Sequence, residues 1–351
     1  MHTGTVRKRA AAAAALFCCA LLSACVKTGT PQARTGFAMG SLVSVSVYAQ
    51  GDAAGAAAEA ALTAVNETDR MLSATLPDAE IYRLNETGEA ALSAGTGALL
   101  RETKSLCVSL DERLDITLGA VTALWGFSGE TPRLPAEKEL RAALKTKGLE
   151  GLTLQGETAF LKEGMRLDLG AVGKGAGCDA ALEALRAYKT PAVLSLGGTV
   201  LLYGQKPGGS WSVGVRDPFG NANEYFATLA LQTGADGACF VSTSGSYEKC
   251  FTENGETYHH ILDPETGYPV KTPLLAVTAV GERGLVSDAL STALFVNGLN
   301  ETSLSWVEEY LTGAVFIFED GRVYVTEGLR NAFTLLNTNR FETVTDYDKT
   351  P

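Results

Sequence analysis

Between residues 191 and 280 the sequence consists of short β-like runs with turn residues between them. Helical periodicity is concentrated before and after this block and does not alternate with single strands. Such blocks favour an α+β fold, in which antiparallel-rich sheets pack with helices, over a doubly wound parallel sheet. A further strand is predicted at 41–48 and a hairpin turn at 319–321. The other predicted elements are strands at 192–196, 211–215, 226–231, 239–242 and 247–252, and helices at 53–72, 97–110, 136–146, 172–188, 287–297 and 301–311.

The first 24 residues have the composition of an export signal. Basic residues at 7–9 precede an apolar run at 10–22 and the sequence Leu-Ser-Ala-Cys, which is typical of a bacterial lipobox. We therefore expect a lipoprotein signal peptide at 1–24, a lipid anchor at Cys25 with a tether over 25–35, and localisation outside the cytoplasm on the cell membrane. An ordinary secretory leader is the alternative. The apolar run is shorter than the roughly 20 residues that a membrane-spanning helix needs.

No linker and no repeat of fixed period divides residues 36–341, so we expect one folded unit there and a C-terminal tail at 342–351. The whole chain has 29 basic and 40 acidic residues, a net charge of −11. Residues 1–24 carry three of the basic residues and none of the acidic ones, so the remainder has a net charge of −14. This excess of carboxylates disfavours binding to nucleic acid or to an anionic membrane surface, because phosphates require a basic patch.

Four cysteines remain after the signal and the anchor, and none of them has CxxC spacing. Buried thiols are the expectation, and if one disulfide forms we favour Cys239 with Cys250, which flank a predicted turn at 244–245. After residue 24 the only histidines are His259 and His260, so a zinc site built from several histidines is excluded. Hard oxygen ligands remain possible. Strand alternation would place the two histidines on opposite faces, so that at most one faces a given cleft.

A glycine-rich segment at 167–177 opens a predicted helix. It lacks the Ser or Thr after Lys174 and the first glycine that a Walker loop needs, and it also fails the GxGxxG spacing. What remains is a helix N-terminus that suits a phosphate group, with Lys174 adding positive charge. Tight packing is an equally good explanation of the glycines.

Asp288, Ser291 and Thr292 have i, i+3 and i+4 spacing near the start of a predicted helix. They therefore share one face and can present their oxygens together. A carboxylate with hydroxyls, without thiolate or imidazole, suits Mg²⁺. The alternative is that Asp288 only complements the helix dipole.

Taken together, these segments resemble the ApbE family of extracytoplasmic flavin transferases, also called FAD:protein FMN transferases. The resemblance extends over essentially all of residues 36–336, and the lipobox agrees with it because many members are lipoproteins. It implies a T-fold-like architecture with two intimately fused lobes. The matching stretches, in order, are 36–41, 114–119 with 124–127, 168–175, 196–198, 243–245, 260–267 and 287–293.

The resemblance implies Mg²⁺-dependent transfer of FMN from FAD to a threonine or serine hydroxyl of a separate exported flavoprotein, with release of AMP. The metal ligands would be the Ala171 carbonyl, Asp288 and Thr292, with Ser291 close by. His260 would be the catalytic base, and the rate should then fall as the pH drops through 7 to 6. Alternatively, the metal would activate the hydroxyl and His260 would position the substrate. Lys174 stands where some members have Glu. The residues that resemble FAD contacts are Met39, Arg113, Leu114, Asp115, Asp168, Lys174, Gly197, Gly198, Ser244, Gly245 and Ile261.

Two other functions are compatible with the same residues. In the first, water replaces the protein hydroxyl, and the enzyme hydrolyses FAD to FMN and AMP. In the second, the chain is a lipoprotein that binds and delivers FAD without chemistry. The sequence does not separate them, and it contains no FMN-acceptor domain, which is why a separate acceptor protein is expected.

Overall fold

A computed structural model describes residues 31–49, 51–129, 131–221, 224–234 and 237–345. The predicted signal peptide, Cys25 and most of the tether lie outside these residues. No helix within the described ranges has both the length and the apolar character needed to cross a membrane. The helices of this part of the chain are α1 (Asp52–Leu72), α2 (Glu80–Thr87), α3 (Ala94–Ser109), α4 (Gly119–Trp125), α5 (Glu137–Leu144), α6 (Gly173–Arg186), α7 (Gly284–Asn297), α8 (Glu301–Tyr310) and α9 (Glu327–Arg330), with a short 3₁₀ helix at Leu149–Gly151.

The strands pair almost entirely antiparallel, as the block pattern of the sequence predicts. Only the last pair in the described chain, β15 with β17, is parallel. The strands are β1 (Gln32–Ala38), β2 (Ser41–Val47), β3 (Glu89–Ala91), β4 (Leu152–Gln155), β5 (Thr158–Leu161), β6 (Ala192–Leu196), β7 (Thr199–Tyr203), β8 (Trp211–Arg216), β9 (Tyr225–Leu231), β10 (Ala238–Gly245), β11 (Cys250–Glu253), β12 (Glu256–His259), β13 (Leu274–Gly281), β14 (Gly313–Phe318), β15 (Arg322–Val325), β16 (Phe333–Leu335) and β17 (Glu342–Val344).

Nine of these strands form the central sheet, in the order β1-β2-β6-β7-β10-β13-β14-β15-β17. Smaller sheets have the orders β16-β9-β8, β3-β5-β4 and β11-β12. The α+β fold with antiparallel-rich sheets is therefore confirmed.

Local sequence explains the elements at the sheet's first edge. In β2, Val43, Val45 and Val47 are fully buried and alternate with serines, as a half-buried strand requires. In α1 the buried residues follow helical spacing and are mostly alanines, so the helix can lie close to its neighbours. The pairs α1 with α6 and α6 with α7 pack against each other on one face of the sheet.

Alternate residues of the central strands enter two different core layers. Leu194 of β6 and Leu201 of β7 pack in the layer below α1 and α6. Leu202 packs in the opposite layer, which the β16-β9-β8 sheet covers. The segment from α2 to β5 joins the same main core as α7 and β14, since Leu84 and Leu100 cluster with Leu290. This shared core joins the segment from α2 to β5 to the rest of the fold.

Both predicted limits of the folded unit are wrong. Residues 32–38, assigned in part to the tether, form edge strand β1 because all seven pair with β2 from Ser41 to Val47. At the other end, residues 342–344 of the expected tail form β17, which pairs with β15. The folded unit therefore extends at least from residue 32 to residue 344.

The favoured disulfide is also wrong, because Cys239 and Cys250 are both free thiols. Cys239 pairs with Leu202 in the central sheet, whereas Cys250 pairs with His259 in the separate β11-β12 hairpin. The predicted strand at 247–252 begins only at residue 250, and residues 244–245 end β10 instead of forming a turn.

Candidate functional site

Several of the predicted site residues lie at one end of the central sheet. Gly197 and Gly198 form the tight turn between β6 and β7, and Gly197 has the left-handed φ of +57° that favours glycine. Ser244 and Gly245 are the last residues of β10 and lie at the same end of the sheet, because β10 is antiparallel to β7. The N-termini of α6 and α7 lie against this end.

The N-termini of α6 and α7 approach each other backbone against backbone. A Cβ atom on Gly175 would clash with the carbonyl oxygen of Gly284, and a Cβ on Gly284 would clash with the carbonyl oxygen of Gly175. Glycine at these two positions is thus explained by packing. Tight packing, the alternative explanation of the glycine-rich segment, is therefore correct at Gly175.

Asp288 lies at this junction, and its side chain is almost completely buried. Its Oδ2 accepts a hydrogen bond from the Gly175 N–H at 2.9 Å, in the first turn of α6. Its Oδ1 accepts one from the Thr199 hydroxyl at 3.3 Å and lies 3.6 Å from the Lys174 Nζ. Burial raises the pKa of Asp288, and the Lys174 ammonium opposes that shift. The carboxylate therefore complements the N-terminus of a neighbouring helix while facing the site.

Three hydroxyls form a cluster one turn further along α7. The Ser244 Oγ lies 2.8 Å from the Ser291 Oγ and 3.0 Å from the Thr292 Oγ1. The Ser291 hydroxyl also reaches the backbone carbonyl of Asp288 at 2.8 Å. The predicted i, i+3, i+4 face of α7 therefore presents its oxygens together with one from β10.

The donors available for a metal ion are oxygen atoms around one carboxylate. Ala171 lies in the turn directly before α6 and packs against the main core. Among the described residues, no group of three or more His, Cys, Asp or Glu side chains is placed to hold a metal. A soft metal would therefore find no thiolate or imidazole set here, whereas one carboxylate with hydroxyl, carbonyl and water ligands suits Mg²⁺.

Lys174 is the cation of the site. Its Nζ donates to the Gly170 carbonyl at 3.3 Å, beside the carboxylate of Asp288. It also influences Glu248: the surrounding protein raises the pKa of that carboxyl group, and Lys174 counteracts the rise. A phosphate group at the start of α6 would thus meet an ammonium and the positive end of the helix dipole, while the N–H groups of Gly173, Gly175 and Ala176 already bond within the protein.

His260 follows β12 and has a neutral, poorly solvated ring. Its Nδ1 atom is buried and has no hydrogen-bond partner. Burial lowers the pKa of His260 to about 3, with contributions from Lys249 and Lys174. Burial keeps this ring neutral between pH 7 and 6 in the free protein, so the predicted decline of the rate in that range stays a prediction for the FAD-bound protein. Its ring lies edge-on to Phe127, with centroids 6.4 Å apart.

His259 has a different environment. Its Nε2 lies 3.1 Å from the Val270 carbonyl, and its ring packs edge-on against Phe295 of α7. Burial lowers its pKa as well. The two histidines thus have separate surroundings, as strand alternation predicts, and His259 is held by backbone and core contacts.

The predicted flavin contacts on the loop after α3 are held by internal bonds. The Asp115 carboxylate is buried and accepts from the Thr117 N–H at 2.8 Å and the Thr117 hydroxyl at 2.6 Å. Leu114 is buried, and the exposed Arg113 forms an ion pair with Glu265 at 3.2 Å. That ion pair joins this loop to the segment that contains His260.

The remaining predicted contacts lie on three separate segments of the chain. Asp168 accepts from the Thr122 hydroxyl at 2.7 Å and from the Gly170 N–H at 2.8 Å. Ile261 is buried directly after His260. Met39 turns the β1-β2 hairpin with a φ of +52°, which is unusual for a residue with a side chain.

Four polar residues of this region were not predicted from the sequence. Thr199 binds Asp288, and Glu248 lies near Lys174. Asp69 of α1 holds the Met39 N–H at 2.8 Å, and Asp179 of α6 binds the first N–H groups of α7. Thr199 and Glu248 each lie within three residues of a predicted contact. This closeness in sequence is the signal that could have identified them. Asp69 and Asp179 gave none, since they look like ordinary polar residues of amphipathic helices.

Comparison with known proteins shows the family of the chain. The model of the ApbE family matches residues 39–317. A protein of Treponema pallidum named FAD:protein FMN transferase is 30% identical over 328 residues, which cover 87% of this chain and 89% of that protein. A protein of the same name from Klebsiella pneumoniae is 26% identical over 86% of this chain and 93% of its own length.

Solved structures give the same result. The ApbE protein of Thermotoga maritima matches with a TM-score of 0.78 and 29% identity, covering 85% of this chain and 97% of that one. The flavinyl transferase ApbE of Pseudomonas stutzeri, in its apo form, matches with a TM-score of 0.73 and 26% identity, covering 86% and 96%. The chain therefore belongs to the ApbE family.

Proposed function

We propose that the chain transfers FMN from FAD to a threonine or serine hydroxyl of a separate exported flavoprotein, in a Mg²⁺-dependent reaction that releases AMP. As a member of the ApbE family, the chain is an FAD:protein FMN transferase. The magnesium ion, the hydroxyl acceptor and the release of AMP are the parts proposed here. The observation that carries them is the buried Asp288 carboxylate, which lies between Lys174 and a cluster of hydroxyls at two helix N-termini.

The donor set fits a magnesium ion. Asp288, Thr292 and the Ala171 carbonyl would hold it, with Ser291 close by, and all of these ligands are hard oxygens. The raised pKa of Asp288 indicates a buried negative charge that Lys174 compensates only in part. A bound cation would offset this charge. When bound, Mg²⁺ supplies charge neutralisation on the diphosphate and polarises the phosphorus–oxygen bond that breaks.

The protein's own groups position the diphosphate. The first turn of α6 offers the positive end of its dipole, and Lys174 adds an ammonium there. In the transfer, the acceptor hydroxyl oxygen forms a bond to the phosphorus of the FMN half. The anhydride bond to the AMP half breaks, and AMP leaves with the bridging oxygen. Phosphoryl transfer of this kind depends on positioning and charge more than on covalent chemistry.

His260 is the proposed proton acceptor for the attacking hydroxyl. Its ring is neutral at physiological pH, and its Nδ1 atom has no competing hydrogen bond. A base with a pKa of about 3 is weak, but the negative charge of a bound diphosphate raises the pKa of a nearby imidazole. His260 would therefore gain basicity when FAD is bound.

The same site supports hydrolysis of FAD if water replaces the hydroxyl, and simple binding of FAD if no reaction occurs. The rival functions predict different products. We further propose that the chain acts outside the cytoplasm, held at the membrane by acyl chains on Cys25, and this proposal rests on the lipobox sequence.

Mass spectrometry separates the three functions. Purified chain is incubated with FAD, Mg²⁺ and the unmodified form of an exported flavoprotein domain that carries FMN through a threonine phosphoester. An increase in the mass of the acceptor by one FMN moiety (FMN less one water), together with an equimolar amount of AMP, supports transfer. Free FMN with AMP and an unmodified acceptor would establish hydrolysis, and unchanged FAD would leave only binding. The matched control omits Mg²⁺ and includes a chelator.

A further inference from the structure

The tip of the β1-β2 hairpin carries two exposed apolar side chains. Phe37 and Leu42 are 70% and 66% exposed, the highest values among large apolar residues of the described chain. They lie directly opposite each other in the β1-β2 ladder, so they form one continuous apolar surface. We call it the Phe37–Leu42 pair. Single exposed apolar residues are ordinary, but a contiguous pair on a hairpin tip indicates an interaction surface.

Nothing in the fold requires these residues to be apolar. The outward positions of β2 are residues 42, 44 and 46, and the other two are serines. The β16-β9-β8 sheet packs against the central strands at residues such as Val193 and Val200. Neither Phe37 nor Leu42 belongs to this core layer. The apolar character of the pair is therefore not explained by stability.

The backbone beside the pair is close to the proposed reaction site. The Leu42 carbonyl accepts a hydrogen bond from the Gly197 N–H at 3.4 Å. A Cβ atom on Gly197 would lie 2.8 Å from the Ser41 Oγ and 3.4 Å from the Lys174 Cδ. Since Lys174 approaches Asp288, the hairpin tip is connected to the site through directly adjacent residues.

We propose that the Phe37–Leu42 pair is the docking surface for the acceptor protein, and that it binds an apolar side chain on the extended segment that carries the modified hydroxyl. This inference rests on the proposed function, because only a transferase needs to hold a protein beside its reacting phosphate. β1 is the edge strand of the central sheet, with no strand on its outer side in the described chain. An extended segment can therefore lie along it while its apolar side chain contacts the pair.

A lipid surface is the less suitable partner. The chain enters β1 at Gln32, whereas the pair lies near the other end of this seven-residue strand. That separation is about 17 Å at the usual rise per residue of a strand. A tether from Cys25 thus joins the fold at the end of β1 that lies away from the pair and from the reaction site.

The test compares a double variant, which carries both Phe37→Ser and Leu42→Ser, with a control variant that carries Tyr188→Ser. Tyr188 is an exposed aromatic residue just beyond the end of α6 that is distant from Lys174. The probe is the unmodified exported flavoprotein domain described above, with FAD at saturation. We expect the KM for the acceptor to rise about tenfold or more in the double variant, since each contact of this kind buries a large apolar side chain. The KM for FAD and the FAD-dependent fluorescence change stay as in the control.

The other outcomes each count against the inference or against its premise. An unchanged KM for the acceptor, or an equal rise of the KM for FAD, would overturn the docking surface. Weaker sedimentation of the double variant with phosphatidylglycerol vesicles, without a change of KM, would assign the pair to lipid and also overturn it. Failure of the wild-type chain to modify any acceptor would instead remove the proposed function.

A second measurement does not depend on the fold of the double variant. Phe37 is replaced by the photoreactive amino acid p-benzoylphenylalanine, which keeps an aromatic side chain at the exposed position. Irradiation should crosslink this chain to the acceptor, and excess unlabelled acceptor should compete. The same replacement at Tyr188 should give no crosslink. Equal crosslinking at both positions, or none at Phe37, would contradict the proposal.

Discussion

Asp179 and Asp288 each cap the helix that contains the other. Asp179 of α6 accepts hydrogen bonds from the Gly284 and Leu285 N–H groups of α7, at 2.7 and 2.8 Å. Asp288 of α7 accepts one from the Gly175 N–H of α6. Neither helix has a side-chain cap from its own N-cap residue. This exchange fixes the two N-termini side by side and places a buried carboxylate at the proposed phosphate site.

The two aspartates should differ in their effect on the reaction. Asp288→Asn should reduce FMN transfer by about 10²-fold or more and raise the Mg²⁺ concentration needed for half-maximal rate, because the site loses its charged ligand. Asp179→Asn is the matched control, since it weakens a helix cap without facing the hydroxyl cluster. It should lower stability and leave the Mg²⁺ dependence unchanged. A Mg²⁺ titration of both variants checks this, and equal shifts in both would contradict the metal assignment.

The contact between the backbones of α6 and α7 predicts a contrast between two neighbouring glycines. Gly175→Ala should destabilise the protein by about 1–3 kcal/mol, because the added methyl group meets the Gly284 carbonyl oxygen. Gly173→Ala should have little effect, since a Cβ there has no neighbour within 4 Å. Urea unfolding of both variants measures the difference in the free energy of unfolding. Similar free energies of unfolding for the two variants would show that α6 and α7 separate easily.

The two histidines should also differ. His260→Ala should reduce transfer by about 10²-fold, the usual contribution of a positioned general base, while FAD still binds. His259→Ala should affect mainly stability, because its ring contacts the Val270 carbonyl and Phe295. Single-turnover transfer assays at saturating FAD check the contrast. Equal and mild losses in both variants would leave activation of the hydroxyl to Mg²⁺.

Burial of His260 makes stability depend on pH. The folded protein keeps this ring neutral down to about pH 3, whereas the unfolded chain protonates it near its ordinary pKa of 6.5. Between these values the unfolded chain binds more protons, so stability is full above about pH 6.5 and falls as the pH decreases. His260→Gln should lose part of this decline, measured as the urea midpoint from pH 7.5 to 5. Parallel curves for wild type and variant would show that the ring titrates normally.

The lipobox predicts the behaviour of one further variant. Cys25→Ser should release the protein from the membrane fraction or leave it unprocessed, since attachment depends on acyl chains and not on a spanning helix. Fractionation of cells that express each form, with labelling by a radioactive fatty acid, measures this. Wild-type protein that is fully soluble after removal of the signal would contradict the anchor.

The sequence alone was enough to predict the α+β class, most helices and about half of the strands of the described chain, and the oxygen-rich face of α7. These features depend on local periodicity and short spacings, so Asp288, Ser291 and Thr292 could be grouped before any contact was known. The family resemblance added the expected chemistry. Limits of the folded unit were less predictable, because β1 and β17 carry weak strand signals and are held by pairing with β2 and β15.

Only the tertiary structure determined how the site is held together. Thr199, Asp179 and Asp288 are brought together by sheet pairing and helix packing, and their contacts join residues about 90 to 105 positions apart. The pKa of His260 likewise depends on the surrounding protein, because burial removes the water that would stabilise the charged ring. Local patterns specify which groups are available, whereas burial and contacts between distant segments determine their charge and partners.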